Sequence, residues 1–214
     1  MAIAVLGGTG PEGVAIAARL LATGNEVIIG SRAADRAAST AATLAAEVPG
    51  GKVRGARNPD AAAAAEMIVV AVPAAGVDAV VVESALGLAG KIVLEVVNEI
   101  RLERGVFQVS APATPVALRL RAHVPTARLV SGLKHESASA LRNLRQRLDS
   151  DVLLCGDDEP AKAIVADFIR RIPDLRPVDA GGLAVAPLLD HVTALLLNVN
   201  RRHKAETSIR LIGL

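Results

Sequence analysis

The apolar run Ala2–Leu6 passes straight into a glycine-rich turn, and this junction constrains the fold more than any other stretch of the chain. Gly8, Thr9, Gly10, Pro11, Glu12 and Gly13 match the pattern G-x-G-x-x-G. Alone the pattern is weak. Here it follows one predicted strand and opens a predicted helix, with Pro11 at a position where a missing N–H costs nothing. In that setting the first glycine permits a tight turn. The second lets a pyrophosphate approach the backbone, and the third lets helix and strand pack closely. The helix start supplies free N–H groups and a dipole that favours an anion. The turn therefore predicts dinucleotide binding.

The second predicted strand, Glu26–Ile29, ends in Gly30-Ser31-Arg32, with Arg36 one helical turn further on. Chains that bind NAD place a carboxylate there to hold the ribose 2′-hydroxyl. A carboxylate would repel a 2′-phosphate, whereas Ser31, Arg32 and Arg36 can bind one. The predicted cofactor is NADP, with Asp35 pointing outward.

Beyond the turn, short apolar runs alternate with Ala-rich helical stretches. Helices are expected over 11–22, 34–47, 60–65 and 77–88, with an edge strand at 53–55 and further strands at 67–72, 91–97 and 127–131. Several strands are continuously apolar, as befits strands covered on both faces. The alternation predicts right-handed βαβ units and an α/β fold built on a doubly wound parallel sheet. From about residue 150 the pattern changes. A strand at 151–155, an amphipathic helix over 159–171, a segment at 175–179 and a long helix over 183–204 form a C-terminal part that packs on the sheet. The expected division is thus 1–150 and 151–214.

Composition narrows the partners. Without Trp or Tyr, and with Phe107 and Phe168 as the only phenyl rings, the chain lacks platforms for base stacking. The formal charge of +2 adds nothing that suggests nucleic acid, so none is expected. The single cysteine, Cys155, excludes an internal disulfide, fits a reducing compartment and lies in an apolar run, which predicts a buried strand residue. The four histidines, 123, 135, 191 and 203, have no ligand spacing, so no metal site is expected. No secretion signal is expected from the N-terminus, and Pro187, Asp190, His191 and Asn198 interrupt the most apolar helix. These features predict a soluble cytoplasmic protein without a membrane partner.

The chemistry opposite the nicotinamide is not conspicuous. Absence of Tyr removes the Ser-Tyr-Lys arrangement of short-chain dehydrogenases, and no residue stands out as a catalytic acid or base. Hydride transfer between two rings requires only close, aligned placement. A reductase of a small electrophile such as an imine or a flavin and a non-catalytic NADP-binding redox sensor both fit an NADP site of this kind.

The run AVLGGTGPEG followed by IIGSR resembles the NADPH-dependent reductases of coenzyme F420, an 8-hydroxy-5-deazaflavin. The resemblance continues through SDVLLCGDDEPAK, IPDLRPVDAGGL, ALLLNVNRR and KAETSIRLIGL, over essentially the whole chain. It implies a Rossmann-type domain with a small C-terminal helical part, a homodimer or larger homo-oligomer, and reversible hydride transfer between NADP(H) and the deazaflavin. By position it implies Ala74 and Ile100 near the nicotinamide, His135, Ser139 and Thr193 lining the deazaflavin pocket, and Ile209 closing it. Arg201, Arg202 and Lys204 add positive charge near the end of the chain. Two stretches depart from the family. Glu95-Val96-Val97-Asn98-Glu99 stands where an apolar, proline-containing loop is usual, and Glu136-Ser137 replaces apolar or small residues. Added carboxylates disfavour an anionic ring unless they face away.

Overall fold

The computed structural model describes residues 1–110 and 114–214. The elements in chain order are β1 (Ala2–Leu6), α1 (Pro11–Ala22), β2 (Glu26–Ser31), α2 (Ala34–Glu47), β3 (Val53–Arg57), α3 (Asn58–Ala64), β4 (Met67–Val70) and α4 (Val77–Leu88). They continue with β5 (Ile92–Glu95), β6 (Ile100–Glu103), β7 (Val106–Val109), α5 (Val116–His123), β8 (Arg128–Gly132), α6 (Ala138–Arg142), β9 (Ser150–Cys155), α7 (Glu159–Arg170), β10 (Leu175–Asp179) and α8 (Ala186–His203).

Eight strands form one sheet in the order β10-β9-β8-β5-β4-β1-β2-β3. From β3 to β8 every pairing is parallel. The chain moves outward in one direction from β1 through β2 to β3, then returns to the other side of β1 with β4. The crevice between β1 and β4 is therefore the point where a doubly wound sheet binds its ligand. The expected doubly wound architecture is present. Beyond β8 the sheet is extended by β9, antiparallel to β8, and by β10, parallel to β9.

Strand side chains alternate between two apolar layers, which is why these strands read as unbroken hydrophobic runs. Ile3, Val5, Val27, Ile29 and Val69 face a layer filled by α1, α2, α6 and α7. Ala4, Leu6, Ile28, Ile68 and Val70 face a layer filled by α3, α4, α5 and the start of α8. With two phenylalanines in the chain, aliphatic side chains fill both. Helix α8 is long and apolar enough to satisfy the length and composition of a membrane span. Its Ala186, Leu189, Thr193 and Ala194 are instead buried in the fold, as its polar interruptions predict.

Three elements lie outside the sequence expectation. Helices α5 and α6 are short, and the β6–β7 hairpin forms a separate two-stranded sheet. Its two-residue loop, Arg104-Gly105, has φ of 48° and 82°. Positive φ at both central positions is the turn whose twist matches an antiparallel pair. The hairpin docks on α8 through Asn198, whose side chain accepts from Phe107 N at 2.9 Å and donates to Phe107 O at 2.8 Å.

Candidate functional site

The glycine turn has the geometry its sequence predicts. Gly8 N donates to Val5 O at 3.1 Å and Gly30 O at 3.0 Å, Gly10 N to Gly7 O at 3.0 Å, and Val14 N to Gly10 O at 2.9 Å. The glycines have separate reasons to be glycine. A Cβ on Gly8 would lie 2.7 Å from Val5 O, and one on Gly13 would lie 2.6 Å from Gly7 O. Gly7, with φ +75°, sits against Val72 and Ala71 O of the β4 exit. A Cβ on Gly10, by contrast, would meet only Gly7 O, at 3.5 Å. Gly10 caps α1 without a side-chain acceptor, so the first N–H groups of the helix are left without a cap. Steric need explains Gly7, Gly8 and Gly13. At Gly10 no such steric need applies, and the turn leaves room there for an incoming phosphate. The turn fits a dinucleotide pyrophosphate.

Sequence reasoning missed the residue that holds this turn from the other side. Asn58, at the start of α3, is buried, and its Oδ1 accepts from Gly7 N at 3.3 Å. The same oxygen would lie 2.8 Å from a Cβ on Gly30, so Asn58 packs closely against the β2 exit while it bonds the β1 exit. Its position after the edge strand β3 is the only signal in the sequence, and it is weak.

At the β2 exit Ser31 is buried and its Oγ accepts from Ala33 N at 3.3 Å. Arg32 and Arg36 are both exposed, and among the described residues neither forms an ion pair. Asp35 is exposed in the first turn of α2. Two unpaired guanidinium groups beside a buried hydroxyl fit a dianionic 2′-phosphate. Thr9, Pro11 and Ala74 lie at the switch point, the last opening the short 3-10 turn that follows the β4 exit.

A cavity of about 520 Å³ opens beside the glycine turn, where α1, the β5 and β8 exits, β6 and α8 converge. Glu12, Ile100, His135 and Thr193 line it, so the structure brings these predicted residues together. Ser139 and Ile209 lie outside its wall. Ser139 is exposed and, with Ser137, is bonded to Glu206, while Ser137 and Glu206 do line the cavity. Ile209 belongs to the C-terminal tail, where its carbonyl accepts from Asp151 N at 2.8 Å. Thr207, two residues earlier, reaches the wall.

The polar groups of the cavity are defined by what they bond and what they leave free. His135 Nε2 lies 2.7 Å from the Asp151 carbonyl, which can only accept. The Nε2 therefore carries the hydrogen, and Nδ1 is left as a buried acceptor with no partner. Burial pushes the imidazole below its usual pKa despite that hydrogen bond, so it is neutral at pH 7. Asn98 donates from Nδ2 to Lys134 O at 2.7 Å and leaves Oδ1 buried and free. Glu12 Oε1 is likewise buried and unpaired. Native interiors rarely strand three such atoms around one cavity unless a ligand completes them.

A buried ionic network holds this wall in place. Lys134 Nζ donates to Val97 O at 2.8 Å and to Asp190 Oδ1 at 2.9 Å, and lies 3.1 Å from Glu95 Oε2. Ser131 Oγ and Val97 N also donate to the Glu95 carboxylate. Burial pushes the Glu95 and Asp190 carboxyls up, and Lys134 pulls them back down. The network ties the β5 exit, the β8 exit and α8 together, which fixes Asn98 and His135 relative to Thr193. It also settles the departures in the loops. Glu95 turns to Lys134, and Glu99 turns to Arg119 at 3.1 Å. Glu136 does line the cavity, accepting from Ser150 Oγ at 2.6 Å, and burial pushes its carboxyl up to about 7.

Cys155 ends β9 fully buried, with its thiol pushed up to about 11 by burial, which is the inert strand residue the sequence predicts. Among the described residues no cluster of His, Cys, Asp and Glu could hold a metal.

A doubly wound sheet, a phosphate turn at its switch point and an adjoining cavity for a second molecule define the class of dinucleotide-dependent oxidoreductases. A family model described as NADP oxidoreductase, coenzyme F420-dependent, matches residues 2–99. The F420-dependent NADP reductase of Methanothermobacter thermautotrophicus is 34% identical over 230 aligned positions, covering 100% of this chain and 96% of that protein. Its namesake from Methanocaldococcus jannaschii is 30% identical, covering 100% and 99%. A crystal structure from Arthrobacter sp. FB24, provisionally assigned as an F420-dependent NADP reductase, superposes with a TM-score of 0.83 at 26% identity over 98% and 99% of the two chains. The chain belongs to the F420-dependent NADP oxidoreductase family.

Proposed function

We propose that the protein transfers a hydride reversibly between NADP(H) and the deazaflavin coenzyme F420. The observation that carries this is the cavity beside the glycine turn. A ring placed against its wall meets the nicotinamide end of a dinucleotide whose phosphates rest on α1. Full-length likeness to F420-dependent NADP reductases supports the same pairing of substrates. Gly8 to Gly13 hold the pyrophosphate, Ser31, Arg32 and Arg36 hold the 2′-phosphate, and Ala74 and Ile100 flank the nicotinamide. His135 Nδ1, Asn98 Oδ1 and the α8 face around Thr193 receive the acceptor ring. When bound, the two cofactors supply the redox chemistry, and the protein supplies alignment and exclusion of water.

The protein works as a homodimer or larger homo-oligomer in the reducing cytoplasm, on this proposal. Leu188 and Leu195, one face of α8, are 60% and 64% exposed, and Leu102 and Val106 of the docked hairpin are half exposed. Such apolar area beside a ligand cavity suits a second copy of the chain. Sedimentation at micromolar concentration gives a dimer or larger species if this holds, and a monomer refutes it.

Isotope transfer tests the function. NADPH carrying deuterium on one face of nicotinamide C4 is mixed with F420 and protein, and the reduced deazaflavin is analysed by mass spectrometry. One of the two labelled diastereomers should deliver its deuterium to the deazaflavin. Label that goes to a cyclic imine or a flavin but never to F420 would refute the proposal.

A further inference from the structure

The hydride reaction has an unpaired proton. NADPH, oxidised deazaflavin and H⁺ give NADP⁺ and reduced deazaflavin. Two electrons and one hydrogen pass as hydride from nicotinamide C4 to the ring carbon, and one further proton must reach the pyrimidine end of the ring. No donor is needed at the ring carbon. A donor is needed somewhere.

We propose, building on the function above, that Glu12 is that donor: it stands in the acceptor cavity as a carboxylic acid and passes its proton to the ring nitrogen edge as hydride arrives. The proton leaves the Glu12 carboxyl, the carboxylate remains, and solvent restores the proton after product departs. In the reverse direction the carboxylate accepts it.

The geometry supports this in three ways. Glu12 lies on the first turn of α1, between the phosphate turn and the cavity wall, so it is within reach of both substrates. Its Oε1 is buried and has no partner in the protein, so its hydrogen-bonding capacity is unspent in a residue that lines the cavity. His135, 95% buried, lines the same cavity and leaves its Nδ1 without a partner, a second observation that this wall is built for a ligand.

Every charged group around Glu12 favours the acid form or is spent elsewhere. Burial and the neighbouring Glu136 push the Glu12 carboxyl up to about 7. Glu136 has Asp151 behind it and is itself raised. Lys134 turns its ammonium to Glu95 and Asp190, and His135 is neutral. Glu206 is occupied by Ser137 and Ser139, and Arg19, on the same helix, donates to the Leu141 and Asn143 carbonyls. The start of α1 favours a carboxylate, but a bound pyrophosphate takes up that field and adds negative charge. Loading the dinucleotide therefore strengthens the hold on the proton.

Carbon-13 NMR of protein labelled at glutamate Cδ, with NADP⁺ bound, reads this without turnover. A signal absent from E12Q should titrate with a midpoint at or above about 7, and a midpoint below that overturns the proposal. In stopped-flow reduction of F420 by saturating NADPH, wild-type kcat should fall about tenfold per pH unit above that midpoint. E12Q should lose ~10²–10⁴-fold in kcat and the pH dependence with it, and E12D should recover part of both. An E12Q protein that keeps kcat within threefold and the wild-type profile, or that changes only KM, overturns the donor role alone. A wild type that cannot reduce F420 at any pH overturns the proposed function and the donor role together.

Discussion

Gly10→Val separates folding from binding within a single turn. The backbone at Gly10, φ −82° and ψ 163°, is open to any L-residue, and the nearest foreign atom to a new Cβ is 3.5 Å away. Removing glycine from the unfolded ensemble favours the fold by about 0.4–1 kcal/mol, while loss of a good N-cap costs a similar amount. The net change in stability is therefore within about 1 kcal/mol, or roughly 2–4 °C in Tm for a chain of this size. The branched side chain fills the space into which the α1 N–H groups point. Losing two charge-assisted hydrogen bonds to the pyrophosphate, at about 1.5–3 kcal/mol each, weakens NADPH by ~10²–10⁴-fold. Gly13→Val is the control, since its Cβ would lie 2.6 Å from Gly7 O and 2.8 Å from Gly8 Cα, so it should lose stability as well as binding. Thermal unfolding and calorimetric titration with NADPH measure both quantities. Wild-type affinity in a folded Gly10→Val protein would refute the assignment of the turn, and so would unfolding of Gly10→Val to the same extent as Gly13→Val.

Arg32→Ala should weaken NADPH by about 1.5–3 kcal/mol and leave NADH nearly unchanged, because the lost contact is to the 2′-phosphate; equal loss for both in parallel titrations contradicts this. Lys134→Met strands the Glu95 and Asp190 carboxyls in the interior and should cost about 3–5 kcal/mol in urea unfolding; a loss below about 1 kcal/mol contradicts the network. His135→Ala removes an acceptor that positions the ring, so it should raise KM for the deazaflavin with only a moderate fall in kcat; a collapse of kcat at unchanged KM contradicts it. Glu136 is held protonated up to about pH 7 in the fold but only to about 4.5 when unfolded, so the folded state binds more protons in that window. Stability from this group is accordingly present at pH 4.5 and declines toward pH 7, by at most about 3 kcal/mol. Glu136→Gln should flatten that decline in urea titrations, and an unchanged slope contradicts it.

The half of the site proposed to bind NADP was legible because its constraints are local. Gly8, Gly10 and Gly13 act through their own backbone, and Ser31, Arg32 and Arg36 lie within six positions at one strand exit. Parallel strands covered on both faces announce themselves as apolar runs, so β1, β2, β4, β5 and β8 could be read with errors of a residue or two. The β6–β7 hairpin carried alternation and an Arg-Gly turn, but short apolar–polar patterns compete with loop readings when the flanking helices dominate. The acceptor cavity is assembled from contacts far apart in sequence, and no local pattern reports those. Lys134 meets Asp190 across 56 positions, and His135 meets Asp151 across 16. Of the residues assigned by positional likeness, His135 and Thr193 line the cavity, whereas Ser139 and Ile209 lie outside it and Ser137 and Thr207 form its wall. Glu12 was read only as part of the phosphate turn, because the cavity it lines is completed by Glu136 and α8, far away in sequence.

The central claim is that this chain passes hydride from NADPH to F420. Mixing purified protein with NADPH and oxidised F420 and following the deazaflavin's visible absorbance tests it directly. The absorbance should bleach with turnover, with NADPH far more effective than NADH, and should return on adding excess NADP⁺. Absorbance that stays constant while NADPH binds normally would contradict the account.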